Sequence, residues 1–229
     1  MASAIRVTSA PLKKVALLAL GPFGARVISL LADGHPGYRD YQLTCAQIPA
    51  AFTSGASAVV MALWRPDPGL CEVADDLAFR YRVPWLPIVM EHPVIRIGPV
   101  VCPAAGPCFR CYARRRNQHD LQTWVTAALQ AVYTREPASG PAGYLPHHAR
   151  LAAAVAIDLL GRLNAETVPA DPSQVAGEVT TIRLADGGLA VNRVVACNNC
   201  HRCDGAGPYA APDWLAELAH SRDDGRARR

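Results

Sequence analysis

The chain has 229 residues, of which 51% are hydrophobic and 18% charged, so it has enough apolar material for a folded core. Basic residues exceed acidic residues by 23 to 19, and a net charge of +4 does not favour a nucleic-acid-binding protein. The sequence has neither an apolar run of about eighteen residues or more nor the pattern of a secretory signal. We therefore predict a cytoplasmic globular protein that binds neither nucleic acid nor a membrane.

Short apolar runs alternate with helical patterns through the first half of the chain. The patterns predict strands and helices in turn over residues 14–20, 25–32, 57–63, 69–81 and 85–90. Such alternation is typical of parallel sheets, because each crossover helix packs on one face of the sheet. We expect an α/β sheet that is covered on both faces.

Two helices are predicted after the sheet. Apolar residues recur at helical spacing from Leu121 to Val132, and we expect this stripe to be buried, with Trp124 in the core. A second helix over residues 147–163 is apolar on most sides, so we expect it to be central. Its one acid, Asp158, is a candidate buried residue paired with an arginine. The doublet His147-His148 is interpreted as a helix cap or a surface pair.

The last regular pattern is a hairpin. Residues 178–184 and 189–196 flank an Asp-Gly-Gly turn, which is typical of two antiparallel strands. Residues 94–101 also alternate loosely, as a strand does.

Five cysteines are spaced for metal binding, namely Cys108, Cys111, Cys197, Cys200 and Cys203. Two residues between thiols let both sulfurs face one ion, and two such pairs complete the four thiolates of a structural zinc site. The spacing leaves open which thiols bind, because Cys197 or His201 could replace a ligand. The neighbouring Arg110, Arg114 and Arg202 would favour the thiolate form.

A redox C-x-x-C motif is the alternative interpretation of these cysteines. A redox motif needs one pair at a strand-to-helix junction, whereas this chain has two pairs far apart in sequence. A closed metal site explains the duplication better. Cys45, Cys71 and Cys102 are expected to be small core residues.

Gly21 and Gly24 lie between a predicted strand and helix, where a nucleotide loop would sit. The full G-x-G-x-x-G is missing, Pro22 removes one amide donor, and neither Asp33 nor Asp40 is well placed to bind a ribose. We expect this degenerate loop to be a tight turn that lets helix and sheet pack closely, and ATP binding by the chain to be absent or weak.

Three segments resemble the ThiF-like proteins that partner YcaO cyclodehydratases in the biosynthesis of thiazole/oxazole-modified peptides. They are Pro84-Trp85-Leu86-Pro87, Ile97-Gly98-Pro99-Val100-Val101 and the run from Gly106 to Arg115. The closing segment from Val194 to Gly205 is also similar to that family and favours Cys200 and Cys203 over Cys197 as ligands. The resemblance covers residues 15–205.

The resemblance implies a truncated ThiF/MoeB-like Rossmann-type sheet with a zinc-stapled C-terminal part. This domain would follow an N-terminal extension at residues 1–14 and precede a C-terminal helix and Arg-rich tail at residues 206–229. The implied zinc ligands are Cys108, Cys111, Cys200 and Cys203.

In such systems the YcaO partner consumes ATP and the ThiF-like subunit docks the precursor peptide through its leader. The family's peptide-recognition domain has no room before Val15, so we expect a separate protein to recognise the leader.

Two functions follow as hypotheses. The first is a non-catalytic zinc-binding scaffold or activator subunit of a YcaO-type cyclodehydratase complex, docked through the helix of Trp124 or through Trp214 and Leu215. The second is an ATP-dependent ThiF-like adenylyltransferase that activates a peptide or sulfur-carrier carboxylate. Such an enzyme needs cations on the phosphates, and Lys13 and Lys14 precede the strand, on the wrong side for that task.

Overall fold

The computed structural model describes residues 14–33, 38–42, 47–103, 105–163 and 172–203. The strands are β1 (Val15–Leu20), β2 (Tyr38–Gln42), β3 (Ala58–Leu63), β4 (Trp85–Met90), β5 (Val94–Ile97), β6 (Glu178–Arg183) and β7 (Leu189–Arg193). The helices are α1 (Gly21–Asp33), α2 (Gln47–Thr53), α3 (Pro68–Tyr81), α4 (Phe109–His119), α5 (Thr123–Arg135) and α6 (Pro146–Leu163). A 3-10 turn lies at Pro172–Gln174.

The seven strands form one mixed sheet in the order β2-β1-β3-β4-β5-β6-β7. Strands β2, β1, β3 and β4 are parallel, and β1, β3 and β4 are the three strands of the predicted parallel sheet. Strands β5, β6 and β7 are antiparallel to their neighbours. The connections from β4 to β5 and from β6 to β7 are short turns, which can join only antiparallel neighbours.

Both faces of β1, β3 and β4 are buried, which explains why these three strands are continuous apolar runs. Leu17, Val60 and Ile88 belong to a core with residues of α1 and α6. On the opposite face, Leu18 and Met61 belong to a second core with residues of α2 and α3. The prediction of an α/β sheet covered on two sides is confirmed.

The sequence patterns did not predict β2, α2 or α4. Strand β2 reads YRDYQ and has no apolar run. Helix α2 has only seven residues, including Pro49. Helix α4 carries Arg110, Arg114, Arg115 and Arg116 and buries only two residues, so it has no apolar stripe.

Helix α5 forms where it was predicted, but the expected buried stripe is wrong. None of its residues is buried, and the Trp124 side chain is 76% exposed. The pattern identified an apolar face correctly, but this face meets no core in the part of the chain that the structure describes.

Helix α6 is not central, because it buries one face only. Ala149, Ala152 and Leu160 are among the buried residues, whereas the Asp158 side chain is 67% exposed. Alanines on both faces made the helix look apolar all round. Asp158 does have the expected arginine partner, since Arg162 Nε lies 3.0 Å from its Oδ2. His148 acts as the expected cap: its Nδ1 accepts a hydrogen bond from Leu145 N at 3.2 Å.

Several predictions fall outside the described residues. They concern the N-terminal extension up to residue 13, Cys45, and the C-terminal segment with Trp214 and Leu215. Among the helices that the structure describes, none combines the length and apolar character needed to cross a bilayer.

Candidate metal centre and nucleotide turn

Four cysteine thiols meet in one buried cluster. Cys108 is the N-cap of α4 and Cys111 lies in its first turn, while Cys200 and Cys203 follow β7. The four side chains are between 0% and 5% exposed. All four sulfur atoms lie within 4.8 Å of one another.

The sulfur separations are those of a tetrahedral metal site. The distances are 3.7 Å from Cys108 to Cys111, 3.6 Å from Cys108 to Cys200, and 3.3 Å from Cys111 to Cys203. A fourth separation, from Cys203 to Cys108, is 3.9 Å. Four thiolates at about 2.3 Å from one zinc ion would lie about 3.8 Å apart, and a disulfide would need about 2 Å. This cluster could hold a metal ion.

Cys197 and His201 lie outside this set of four. The Cys197 backbone N–H donates a hydrogen bond to Cys111 Sγ at 3.2 Å, and its thiol donates to the Cys111 carbonyl oxygen at 3.7 Å. The His201 side chain is exposed. Cys197 therefore supports a sulfur of the cluster through its backbone.

The thiols of the cluster shift one another's pKa values. A hydrogen bond from the Cys108 thiol lowers the pKa of Cys111 to about 4. The same contact, together with burial, raises the pKa of Cys108, and burial raises the pKa of Cys203 to about 12. A metal ion binding here would displace the remaining protons, because metals bind thiolates.

Asp75 of α3 ties both cysteine pairs to the sheet. Its buried Oδ1 accepts hydrogen bonds from Phe109 N at 3.0 Å and from Trp85 Nε1 at 3.4 Å. Its Oδ2 accepts from Arg202 at 2.6 Å. Burial raises the pKa of Asp75, whereas these three donors favour the carboxylate. Because Phe109 follows Cys108 and Arg202 precedes Cys203, one carboxylate fixes both halves of the cluster.

Sequence reasoning missed Asp75, although a signal was present. Cys71, Ala74 and Ala78 form the buried stripe of α3, and Asp75 lies one turn after Cys71 on the same side. A carboxylate on an apolar helical stripe is a candidate for a buried, bonded group.

The predicted role of Arg110 and Arg202 needs correction. Arg110 pairs with Glu72 at 2.7 Å, and Arg202 pairs with Asp75 and Asp76. These two guanidinium groups are thus directed to carboxylates and not to the thiols. Arg114 lines a cavity of about 590 Å³ that Cys197 also lines.

The Trp64 side chain packs against the turn after β1. Helix α1 starts at Gly21, which has φ +73°, and a Cβ atom there would lie 2.3 Å from Trp64 Cδ1. A Cβ atom at Gly24 would lie 2.3 Å from the Ala62 carbonyl oxygen. Both glycines therefore allow close packing of α1 and β3, in agreement with the predicted tight turn.

Trp64 lies at the position where an open α/β sheet binds nucleotides, outside the carboxyl ends of β1 and β3, where the strand order reverses. Its neighbour Arg65 is 4% exposed, and the Arg65 guanidinium lies 4.5 Å from the Tyr133 ring centroid. Arg65 also donates hydrogen bonds to the carbonyl oxygens of Tyr133 and Pro137, both at 3.1 Å. These contacts connect the end of α5 to the segment that follows β3.

Solved structures of peptide-modifying proteins share this fold. The TruD heterocyclase matches 84% of this chain with a TM-score of 0.58 and 17% identity. The E. coli microcin synthetase McbBCD complex matches 85% with a TM-score of 0.54 and 13% identity, and MccB, the microcin C7 biosynthetic enzyme, in complex with N-formylated MccA, matches 83% with a TM-score of 0.54 and 14% identity.

These likenesses concern the fold alone and agree with the α/β sheet that the resemblance implied. The chain spans 28% of the TruD heterocyclase chain, 70% of the McbBCD chain and 67% of the MccB chain. No protein-family profile matches the sequence, and no curated protein is significantly similar to it.

Proposed function

We propose that this chain is a non-catalytic, zinc-binding subunit of a peptide-modifying complex whose chemistry is performed by a YcaO-type cyclodehydratase. The complex would act on a ribosomally made precursor peptide and form azoline rings or a related modification. The fold shared with the TruD heterocyclase and with the microcin synthetase McbBCD supports this role.

The packing of Trp64 on Gly21 is the observation that carries the proposal. The Trp64 side chain lies against the turn at which a nucleotide-binding sheet of this kind holds phosphates. A chain of this fold with Trp64 packed on that turn would act by binding. The alternative, a ThiF-like adenylyltransferase, would need that turn open to the phosphates of ATP.

The metal that suits the cluster best is zinc. Zinc prefers four thiolates in a closed tetrahedral site, and the four buried sulfurs of Cys108, Cys111, Cys200 and Cys203 offer this arrangement. Its role is structural, because all four ligand positions are taken by protein and none remains for a substrate. The ion would hold the start of α4 to the segment after β7.

Helix α5 supports a subunit role. Leu121, Trp124 and Leu129 are 97%, 76% and 47% exposed and lie on or beside the same helix. Exposed apolar residues grouped in this way are typical of protein interfaces. We propose that this face docks on the YcaO-type enzyme. All described elements belong to one sheet and its helices, so recognition of the leader is assigned to a separate protein or domain.

Metal analysis of cysteine variants tests the zinc site. We expect about one equivalent of zinc in the purified chain, and its loss in Cys200→Ser, because three thiolates would leave the site open. Structural zinc contributes roughly 10 kcal/mol or more to folding in small modules, so this variant should also be clearly less stable. Cys197→Ser is the matched control and should keep its zinc, because it retains the backbone N–H that bonds to Cys111.

The opposite pattern would contradict the assignment. Less than about half an equivalent of zinc in protein purified without chelator argues against any structural site. Loss of zinc in Cys197→Ser with full retention in Cys200→Ser would show that the ligand set is wrong.

A further inference from the structure

The sheet ends in an unpaired strand. Arg183 N donates to the Gly188 carbonyl oxygen at 2.9 Å, and Val194 N donates to the Gly177 carbonyl oxygen at 2.8 Å. Because antiparallel hydrogen bonds alternate along a strand, the backbone groups of Leu189, Val191 and Arg193 point away from β6. Within the described residues no strand pairs with this outer edge. It therefore offers donors and acceptors to an extended peptide.

A basic cavity lies beside this edge, between α4 and the β6–β7 hairpin. Its volume is about 380 Å³, and its lining includes three arginines and a single carboxylate on the same face, namely Arg96, Arg115, Arg116 and Glu91. The excess of guanidinium groups over carboxylates leaves positive charge that the described side chains do not balance.

The charges are held in place by the protein. Arg96 is 5% exposed, and its Nε donates to Glu91 Oε1 at 2.8 Å, while Arg116 donates to the same oxygen at 2.7 Å. Arg115 donates only to backbone carbonyls, those of Val195 and Ala196. Arg193 lies on the other face of β7 and donates to the carbonyls of Ser173 and Gln174. The bonds within the cavity fix its arginines without neutralising Arg115.

The two faces of the edge strand differ. Ala190 pairs with Thr181, and Thr181 pairs with Arg96, so Ala190 and Asn192 lie on the face of the basic cavity. Leu189 and Val191 lie on the other face and are 57% and 63% exposed. A strand added to β7 would alternate in the same way, with every second side chain over the arginines and the others beside Leu189 and Val191.

We propose that β7 and the basic cavity form a docking site for an extended acidic segment of the partner subunit, in which Asp or Glu alternates with aliphatic residues. Backbone hydrogen bonds to the β7 edge would supply affinity, and the carboxylates would set register on the arginines. This inference rests on the proposed function, in which this chain joins other proteins. It identifies the chemistry of one contact and the strand that receives it.

A synthetic peptide of four Glu-Val repeats, labelled with a fluorophore, is the first probe. It should bind the intact zinc-loaded chain in an anisotropy titration and bind more weakly as salt is raised. A Lys-Val peptide of the same length reverses the charge, and an N-methylated Glu-Val peptide removes the backbone donors on one edge. Both should bind at least about tenfold more weakly.

A pair of charge reversals on α4 is the matched test on the protein. Arg116→Glu should weaken the Glu-Val peptide at least about tenfold, because Arg116 lines the cavity. Arg114→Glu makes the same charge change on the same helix but beside the other cavity, and it should have little effect. Retained zinc in both variants shows that the fold is kept.

Competition identifies the source of the segment. The YcaO-type partner should displace the labelled peptide, and the precursor peptide should not. Displacement by the precursor alone would overturn the partner assignment, and equal binding of the Glu-Val and Lys-Val peptides would overturn the site. No Glu-Val binding at all, although the chain still activates the partner enzyme, would reject this inference and leave the proposed function intact.

Discussion

Asp75 shows how much one side chain contributes to the metal centre. The two C-x-x-C pairs are local signals, because the spacing within each pair is set by neighbouring residues, and the sequence therefore predicted the ligand candidates. What joins the pairs is non-local. The carboxylate of Asp75 bonds to the first turn of α4 and to Arg202, which is far away in sequence. Only the fold brings these groups together.

We predict that Asp75→Asn destabilises the chain by about 2 kcal/mol, because it removes the charge-assisted bond to the 13%-exposed Arg202 side chain. The asparagine oxygen can still accept from Phe109, so the fold should persist with weaker zinc binding in a chelator competition. Asp76→Asn is the control. Asp76 is half exposed, so this change should lower the free energy of unfolding by less than about 1 kcal/mol. Equal effects of the two variants would remove the special role of Asp75.

The lowered pKa of Glu91 predicts that the free energy of unfolding depends on pH. Burial alone would raise its pKa, but the charges of Arg96 and Arg116 outweigh burial and lower it below the usual value. A carboxyl group with a lowered pKa in the folded state stabilises the protein above its unfolded pKa, and this stability is lost as pH falls through the folded pKa.

The variant Glu91→Gln should therefore be less stable than the natural chain by about 3 kcal/mol or more at pH 7, because two arginines lose their carboxylate. The difference should shrink as the pH falls below the usual glutamate pKa and through the lowered pKa of folded Glu91, because Glu91 itself then becomes protonated. Denaturant unfolding at several pH values measures both effects. Glu72→Gln, which breaks the more exposed pair with Arg110, is the control and should cost less than about 1 kcal/mol. A pH-independent difference would contradict this account.

At the scale of elements, the sequence predicted the strands and helices whose burial leaves an apolar pattern in the sequence. Strands β1, β3 and β4 are buried on both faces and read as apolar runs. Helix α4 could not be found in this way, because it buries only Phe109 and Cys111 and carries a row of arginines. In α5 the periodicity was correct, but periodicity does not specify whether an apolar face meets a core or a partner.

The junction of β1, α1 and β3 carries a prediction about nucleotides. Because the Trp64 ring packs on Gly21 and Pro22 has no N–H to offer a phosphate, we expect no binding of ATP with magnesium at concentrations below about 1 mM. Isothermal titration calorimetry of the zinc-loaded chain measures this directly. Tight, magnesium-dependent binding would instead favour the adenylyltransferase alternative.

At the scale of the whole molecule, the described part of the chain combines a buried thiol cluster, a Trp64 side chain packed on the turn after β1, and two exposed surfaces. The first two are inward features that stabilise the fold. The surfaces on α5 and β7 face outward. This division is what a binding subunit requires, because its specificity lies in surfaces held by a rigid core.

Reconstitution with the YcaO-type enzyme, the precursor peptide and ATP tests the central claim most directly, with mass spectrometry counting the water lost for each ring. We predict that omission of this chain abolishes or strongly slows heterocyclisation while leaving leader affinity in the remaining complex. Trp124→Glu with Leu129→Glu should lower turnover by about tenfold or more, because charges would lie in an apolar interface. Val73→Glu, at an exposed position on α3, should not. Unchanged turnover without the chain would contradict the account.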